Sequence, residues 1–210
     1  KYGALFIFDE VVTGFRMGMA GAQGYFGVEP DLTVFGKVMA GGYPGAGGLG
    51  GKKEYMKHLG AGLDDTGKKI KKAFCGGTMS ANPLSCVAGY TMLEEMEKAD
   101  ACYKAALMGD RLTAGLQEII KKRNLPFVAF NQGSICHLET VGTLNFSINW
   151  KKPWTIPSVL DATSARKKEM THMGAAYMAE GLVTLAGSRL YTSAAYTEEM
   201  IDDAIARFDK

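Results

Sequence analysis

The sequence predicts an α/β protein: an incomplete α/β domain that begins inside an element, followed by a smaller α+β domain. Continuous apolar runs at residues 5–8 and 32–35 are typical of short strands buried on both faces of a parallel sheet. Apolar residues at helical spacing follow from about residue 84, and short strand-like pieces return after residue 126. The 210 residues, 47% of them hydrophobic, can build one large core or two small ones.

The predicted strands of the first domain lead into residues that can carry chemistry. Asp9 follows the first run, Lys37 follows the second after one glycine, and Thr78 follows a third predicted strand at residues 72–75. Open α/β sheets bind their ligands at the carboxyl ends of the strands. We therefore expect these side chains at the functional edge of the sheet.

The remaining elements are predicted from spacing and turn residues. A glycine-rich tract connects the second strand to a short helix, and a helical pattern starts after Asn82 and Pro83 and continues to about residue 122. Thr197 is the predicted N-cap of the last helix. The elements are the tract at residues 41–51, a helix at 53–59, a lysine-rich loop at 64–72, strands at 127–130, 134–139 and 144–148, a loop at 149–168, a helix at 169–180, and strands at 182–185 and 190–192.

Composition and charge narrow the class of partner. Lys and Arg number 24 against 22 Asp and Glu, so the net charge of +2 gives no reason to expect nucleic acid or a membrane as partner. No apolar run approaches the roughly 20 residues of a membrane span, and the first residues lack the length of a signal peptide. The four cysteines are widely spaced, so we expect reduced thiols, no metal site and a cytoplasmic protein.

Lys37 and Asp9 are the first candidates for catalysis. A lysine amine at the end of an apolar strand is partly shielded from water, which favours imine formation with an aldehyde, although most such lysines are surface residues. A carboxylate held at the top of the sheet can pair with a buried cation such as a protonated pyridine nitrogen. Asp9 could equally serve as a metal ligand or a helix cap.

The glycine tract offers nucleotide binding as an alternative. Residues 45–50 match the pattern G-x-G-x-x-G, and Asp64 and Asp65 follow about 20 residues later, as in dinucleotide-binding folds. However, Pro44 rather than a strand leads into the tract, and a chain with 27 glycines matches this pattern by chance. A phosphate-binding P-loop is not favoured either, because Lys53 stands where Ser or Thr is needed.

Four segments in order resemble one family. They are FIFDEVVTGFR at residues 6–16, GAQGYFGVEPDLT at 21–33, FGK at 35–37 and GGTMSANPL at 76–84. These segments resemble the class III aminotransferases of pyridoxal phosphate fold type I, and among them the glutamate-1-semialdehyde aminomutase branch. The resemblance weakens after residue 98 until SAAYTEE at residues 193–199.

The resemblance implies a cofactor, pyridoxal 5'-phosphate, and a role for each matching residue. Lys37 would form the Schiff base and act as acid and base, Asp9 would keep the pyridine nitrogen protonated, and Val11 would pack against the ring. Gly77 and Thr78 would contact the phosphate of the partner's cofactor in a homodimer. Residues 1–98 would be the C-terminal part of the large cofactor-binding domain and residues 99–210 the small C-terminal α+β domain, so the chain resembles the C-terminal half of the enzyme.

The implied activity is transfer of an amino group between a small-molecule amine or amino acid and a carbonyl acceptor. The aminomutase branch carries an acidic residue before its SAHTEE segment, whereas this chain has GSRLY at residues 187–191 and Tyr196 in place of the histidine. Arg189 would bind a substrate carboxylate or lie on the surface of the small domain. An aminomutase, or a non-catalytic fragment of such an enzyme, are the alternatives. The donor, the acceptor and the stereochemistry are not determined by the sequence.

Overall fold

A computed structural model of the chain describes residues 2–140 and 156–210. It divides into two compact units, Lys1–Cys102 (unit 1) and Tyr103–Lys210 (unit 2). The strand predicted at residues 144–148 and the first part of the predicted loop, residues 149–155, lie outside the described residues. No helix in the described ranges is long and apolar enough to cross a membrane.

Unit 1 is built on a three-stranded sheet in the order β1-β2-β3. Strand β1 (Ile7–Glu10) runs parallel to β2 (Leu32–Phe35), and β3 (Gly48–Gly51) runs antiparallel to β2. The predicted strand at residues 72–75 is wrong, since these residues form no regular structure and Phe74 is 95% exposed. The third strand lies in the glycine tract instead, because strand pairing needs backbone hydrogen bonds and does not depend on large side chains.

Strand β1 is not buried on both faces, as its apolar run predicts. Phe6, just before β1, is 48% exposed and Ile7 is 52% exposed. Only its last residue, Glu10, is buried. The described residues therefore include too few neighbours to bury the apolar side chains of β1.

The helices of unit 1 largely follow the sequence pattern. They are α1 (Gly21–Phe26), a 3₁₀ helix at Lys37–Ala40, α2 (Lys53–Met56) with a 3₁₀ turn at Lys57–Leu59, and α3 (Pro83–Lys98). Helix α3 starts where predicted: Asn82 caps it by accepting a 3.0 Å hydrogen bond from the Ser85 N–H, and Pro83 occupies the first turn. The helical pattern does not run unbroken to residue 122, because the chain turns at Asp100, where φ is +50°.

In its described residues, unit 2 combines three helices with an antiparallel sheet in the order β4-β5-β6. Its elements are α4 (Ala101–Lys122), β4 (Val128–Gln132), β5 (Ile135–Glu139), α5 (Ile156–Ala179), β6 (Arg189–Tyr191) and α6 (Glu198–Phe208). The core between them includes Leu116, Cys136, Leu138 and Ile201. The predicted N-cap is confirmed, since the Thr197 hydroxyl accepts a hydrogen bond from the Met200 N–H.

Two predictions for unit 2 are wrong. Helix α5 begins at Ile156, so residues 156–168 are helical rather than a loop. Residues 182–185 form no strand, and only a single bridge joins Leu185 to Arg189. Short apolar runs do not distinguish a strand from a segment that packs without a paired neighbour.

Candidate active site

The parallel pairing of β1 with β2 brings two predicted site residues to the same edge. Asp9 lies opposite Val34, and Glu10 lies opposite Phe35, the last residue of β2. Lys37 follows Phe35 after one glycine, so Asp9 and Lys37 stand at the carboxyl ends of neighbouring strands. Neighbouring strands are about 4.8 Å apart, which makes this edge compact enough for one small ligand.

The Asp9 carboxylate is held by the backbone that follows it. Its Oδ1 accepts a hydrogen bond of 3.0 Å from the Val11 N–H, and the side chain is exposed. Among the described residues it has no other hydrogen-bond partner, so Oδ2 remains available to a ligand. A carboxylate with one oxygen fixed and one free can hold a protonated ring nitrogen.

Val11 lies directly beside the backbone that leads to Lys37. A Cβ built on Gly36 would lie 3.3 Å from Val11 Cγ1, so the valine packs against this glycine. Because glycine has no side chain, the surface formed by Val11 and Gly36 is flat. Val11 therefore packs against the residue that directly precedes Lys37.

Lys37 begins its 3₁₀ helix in a strained backbone conformation. Its φ is +50°, in the left-handed region that non-glycine residues rarely adopt and that costs about 1–3 kcal/mol. The side chain is exposed and forms no ion pair within the described part of the chain. The expected shielding of the amine from water is therefore not provided by these residues.

Close packing against α3 fixes the position of the Lys37 helix. A Cβ on Gly41 would lie 2.4 Å from the Ala88 carbonyl oxygen, and one on Gly89 would lie 2.3 Å from that of Met39. No side chain fits in either place. The start of the glycine tract turns the chain tightly behind Lys37, because Gly41 and Gly42 have φ of +58° and +84°.

Gly77 and Thr78 lie in an exposed turn before α3. The Ser80 N–H donates to the Gly77 carbonyl at 3.0 Å, and the turn packs on the glycine tract, where a Cβ on Gly45 would lie 3.2 Å from Met79 Cβ. Within the described residues no hydrogen bond joins Gly77 or Thr78 to Asp9 or Lys37, and the Thr78 hydroxyl has no partner. The described residues therefore show no direct contact of this kind between the pair and Asp9 or Lys37.

Arg189 lies in unit 2, on strand β6. It is exposed and pairs in register with His137, whose ring stacks on Phe130 with centroids 4.8 Å apart. Burial lowers the pKa of His137; the positive charges of Arg189 and Arg166 lower it further, and Glu139 opposes them. Arg166 is paired with Glu139, whereas Arg189 forms no ion pair among the residues that the structure describes.

Sequence reasoning missed one residue at this edge, Glu10. Its side chain is 1% exposed, and its carboxylate accepts hydrogen bonds from the Thr13 hydroxyl and the backbone N–H groups of Ala22 and Gln23. The contacts join residues up to 13 positions apart. The only sequence signal was the acidic residue beside Asp9.

The donor set fits pyridoxal phosphate. An amine suits its aldehyde, a half-free carboxylate suits its pyridine nitrogen, and an apolar side chain beside a glycine suits its ring. The unpartnered Thr78 hydroxyl suits a phosphate oxygen. By contrast, nucleotide binding does not fit the glycine tract, since its last four residues form β3 rather than the start of a helix.

Comparison with known proteins decides the family. The sequence profile of the class-III aminotransferases matches residues 1–165. The chain belongs to this family. Class-III aminotransferases depend on pyridoxal phosphate, so the family's cofactor agrees with the donor set.

Individual relatives of this class-III aminotransferase chain agree with the assignment. Glutamate-1-semialdehyde 2,1-aminomutase 1 of Macrococcus caseolyticus is 38% identical over the whole chain, and that of Staphylococcus aureus strain JH9 is 36% identical. The crystal structure of an omega-transaminase from Sphaerobacter thermophilus covers 99% of the chain with a TM-score of 0.77 and 26% identity. The chain spans 44% of the length of each of these three proteins.

Proposed function

We propose that this chain supplies the lysine-bearing part of a pyridoxal-phosphate-dependent transaminase, with residues 1–98 in the large cofactor-binding domain and 99–210 in the small one. The observation that carries the proposal is the placement of Asp9 and Lys37 at the carboxyl ends of the parallel strands β1 and β2, with Val11 packed against Gly36. The reaction moves an amino group from an amine or amino acid to a carbonyl acceptor.

Each residue at the edge has a separate task. When bound, the cofactor supplies an aldehyde and an electron-withdrawing ring. Lys37 Nζ holds it covalently and moves the proton that leaves the substrate carbon. The Asp9 carboxylate keeps a proton on the ring nitrogen, and the Val11 methyls support one face of the ring.

Arg189 is our proposed contact for a substrate carboxylate. Its guanidinium is exposed and unpaired within the described residues, and a planar fork of donors suits bidentate binding of a carboxylate. The proposal therefore favours amino donors that carry a carboxylate over simple amines.

A second copy of the chain is the proposed partner, with Thr78 reaching the partner's cofactor. Two features support it: the Gly77 and Thr78 turn is exposed, and the following helix α3 exposes apolar side chains along one side. Val87 is 64% exposed and Tyr90 65% exposed. Apolar surface of this kind marks interfaces between proteins.

The exposed thiols are consistent with a cytoplasmic location, which we also propose. Cys75 and Cys86 are free and exposed. Exposed free thiols persist in a reducing compartment.

The function is tested on the protein at its natural length. Incubation with pyridoxal phosphate and reduction by borohydride should fix the cofactor to Lys37, identified by peptide mass spectrometry. Lys37→Ala should lose the label and reduce kcat at least about a hundredfold, as expected when a proton-transfer group is removed. Lys57→Ala, which removes another exposed lysine of unit 1, should behave as wild type. Turnover by Lys37→Ala at the wild-type rate would contradict the proposal.

The identity of the relatives favours one other activity. The aminomutases of M. caseolyticus and S. aureus match the whole chain at 38% and 36% identity. An aminomutase acting on a γ-semialdehyde needs no external amino donor. Assaying the same protein with and without a panel of carboxylate and simple amine donors separates the two: a donor requirement supports the transaminase, and donor-free isomerisation supports the aminomutase.

A further inference from the structure

Glu10 is a buried carboxylate at the candidate active site that none of the proposed catalytic steps uses. It is 1% exposed and lies directly after Asp9 at the end of β1. Burying an ionised carboxylate is costly unless hydrogen bonds replace its hydration. A buried carboxylate at a functional edge therefore calls for a specific role.

The hydrogen bonds of Glu10 join two separate segments. Its Oε2 accepts from the Thr13 hydroxyl at 2.7 Å and from the Ala22 N–H at 2.8 Å, and its Oε1 accepts from the Gln23 N–H at 2.9 Å. Thr13 belongs to the turn that follows β1, and the two amides belong to the first turn of α1. One carboxylate thus ties the turn to the helix.

The surrounding backbone approaches this carboxylate closely. A Cβ on Gly21 would lie 2.6 Å from Glu10 Oε2, and the φ of Gly21 is +62°. The Gly14 N–H donates to the Glu10 carbonyl at 3.0 Å, and a Cβ on Gly14 would lie 3.1 Å from Phe35 Cδ1. The turn at residues 11–14 therefore packs closely on Phe35, the last residue of β2.

This turn carries the groups that orient the candidate cofactor contacts. Val11 donates the hydrogen bond that fixes Asp9 Oδ1, and its side chain packs on Gly36, next to Lys37. Displacement of the turn would move both the Val11 N–H and the Val11 side chain. Successive residues of a strand point to opposite faces, so Glu10 acts from the side of the sheet opposite Asp9.

We propose that Glu10 is a positioning residue, which fixes the Asp9 carboxylate and the Val11 side chain by tying the turn at residues 11–14 to the start of α1. This inference rests on the proposed function. Glu10 itself touches neither cofactor nor substrate.

Glu10→Gln tests the proposal with almost no change in shape. Two backbone N–H groups and a hydroxyl donate to the carboxylate, and an amide offers only one oxygen to them, so its NH₂ group must face at least one donor. The lost hydrogen bond in a buried site should loosen the turn. We expect the dissociation constant of pyridoxal phosphate to rise about tenfold, measured by absorbance titration of the natural-length protein.

The spectrum of the bound cofactor separates positioning from a structural role. The pH midpoint of its visible absorbance band should move in Glu10→Gln in the same direction as in Asp9→Asn, and by less. Thr13→Val, which removes one of the three donors, should give a smaller shift of the same sign. This milder variant keeps the test decisive if Glu10→Gln fails to fold.

The matched control removes a buried hydroxyl from unit 2. Thr192 is 1% exposed, and its hydroxyl donates to the Ala105 carbonyl at 2.7 Å. Thr192→Val should lower the melting temperature but leave the dissociation constant and the pH midpoint of the band unchanged. In cofactor-free protein, Glu10→Gln should speed amide hydrogen exchange at Ala22 and Gln23, whereas Thr192→Val should not.

Two failures are distinguishable. If the wild-type protein gives no borohydride label at Lys37, the proposed function is wrong and the inference falls with it. The second case is that wild type is labelled, and that Glu10→Gln and Thr13→Val speed amide hydrogen exchange at residues 22 and 23 but keep the wild-type cofactor affinity and pH midpoint. Glu10 would then only stabilise the fold, and the positioning role would be overturned.

Discussion

We expect the stability of unit 2 to depend on pH through His137. Burial lowers its pKa from the usual 6.5, and the charges of Arg189 and Arg166 act in the same direction against Glu139. Above pH 6.5 the histidine is neutral in both states, and below it the unfolded chain binds the proton more readily. The free energy of unfolding should therefore fall as the pH drops below 6.5.

The measurement is urea unfolding at pH 8 and at pH 5. Relative to wild type, His137→Gln should lose less stability between the two pH values, because glutamine does not titrate. An equal loss in both proteins would mean that His137 does not couple protonation to unfolding.

At the scale of single residues, the sequence predicts Asp9 and Lys37, whose residue types and positions after apolar runs indicate their chemistry. It does not predict Glu10, whose importance depends on contacts formed in the fold. Asp9 and Lys37 follow apolar runs, and the expected edge follows from strand pairing. The three donors to Glu10, by contrast, come from residues up to 13 positions away, and their convergence depends on how the turn folds back. The positive φ of Lys37 has no sequence signal either, since the rule favours glycine there.

At the level of the elements, helix propensity and tertiary packing predict opposite stability changes for Gly89→Ala, at the contact between α3 and the Lys37 helix. In an isolated helix, alanine in place of Gly89 would stabilise by about 1 kcal/mol. In this fold its Cβ would lie 2.3 Å from the Met39 carbonyl oxygen, and the overpacking should destabilise by about 1–3 kcal/mol. We expect the tertiary clash to win, because backbone on both sides prevents a small adjustment.

Chemical denaturation of Gly89→Ala checks this sign. Gly62→Ala is the control, since a Cβ there has no neighbour closer than 3.9 Å and no positive φ to strain. The control should stay within about 0.5 kcal/mol of wild type. A gain in stability for Gly89→Ala would show that α3 can move away from the Lys37 helix without cost.

The sequence predicts helices that have a recognisable cap or a regular apolar period. It predicts strands poorly where they depend on backbone pairing with another strand. Asn82 and Thr197 cap α3 and α6 as their positions indicate. Strand β3 has no apolar run and exists because its backbone pairs with β2, whereas residues 72–75 have apolar side chains but no paired neighbour. Helix α5 begins at Ile156 although Pro153 and Pro157 indicate a loop, because a proline is tolerated in the first turn of a helix.

For the whole molecule, the distribution of apolar surface differs between the two units. The hydrophobic core cluster lies in unit 2, and the buried apolar side chains of unit 1 are Met17, Ala40 and Cys102 among the residues described. Unit 1 instead exposes the apolar side of α3, including Val87 at 64%. Unit 1 should therefore gain more from assembly than unit 2.

Charge placed on α3 should break the proposed dimer. We expect Val87→Lys to raise the dimer dissociation constant at least about tenfold, because a lysine amine resists burial in an apolar contact. Since Thr78 is proposed to reach the partner's cofactor, the affinity for pyridoxal phosphate should fall with the dimer. Sedimentation velocity over a concentration series and absorbance titration of the same samples measure both quantities.

Val183→Lys is the matched control. Val183 is 86% exposed in unit 2, so the same substitution adds the same charge without touching α3. It should leave both the dimer and the cofactor affinity unchanged. If Val87→Lys abolished the dimer while cofactor affinity stayed at the wild-type value, α3 would still be the interface, but Thr78 would not serve the partner's site. A phosphate contact supplied across the interface must be lost when the subunits separate.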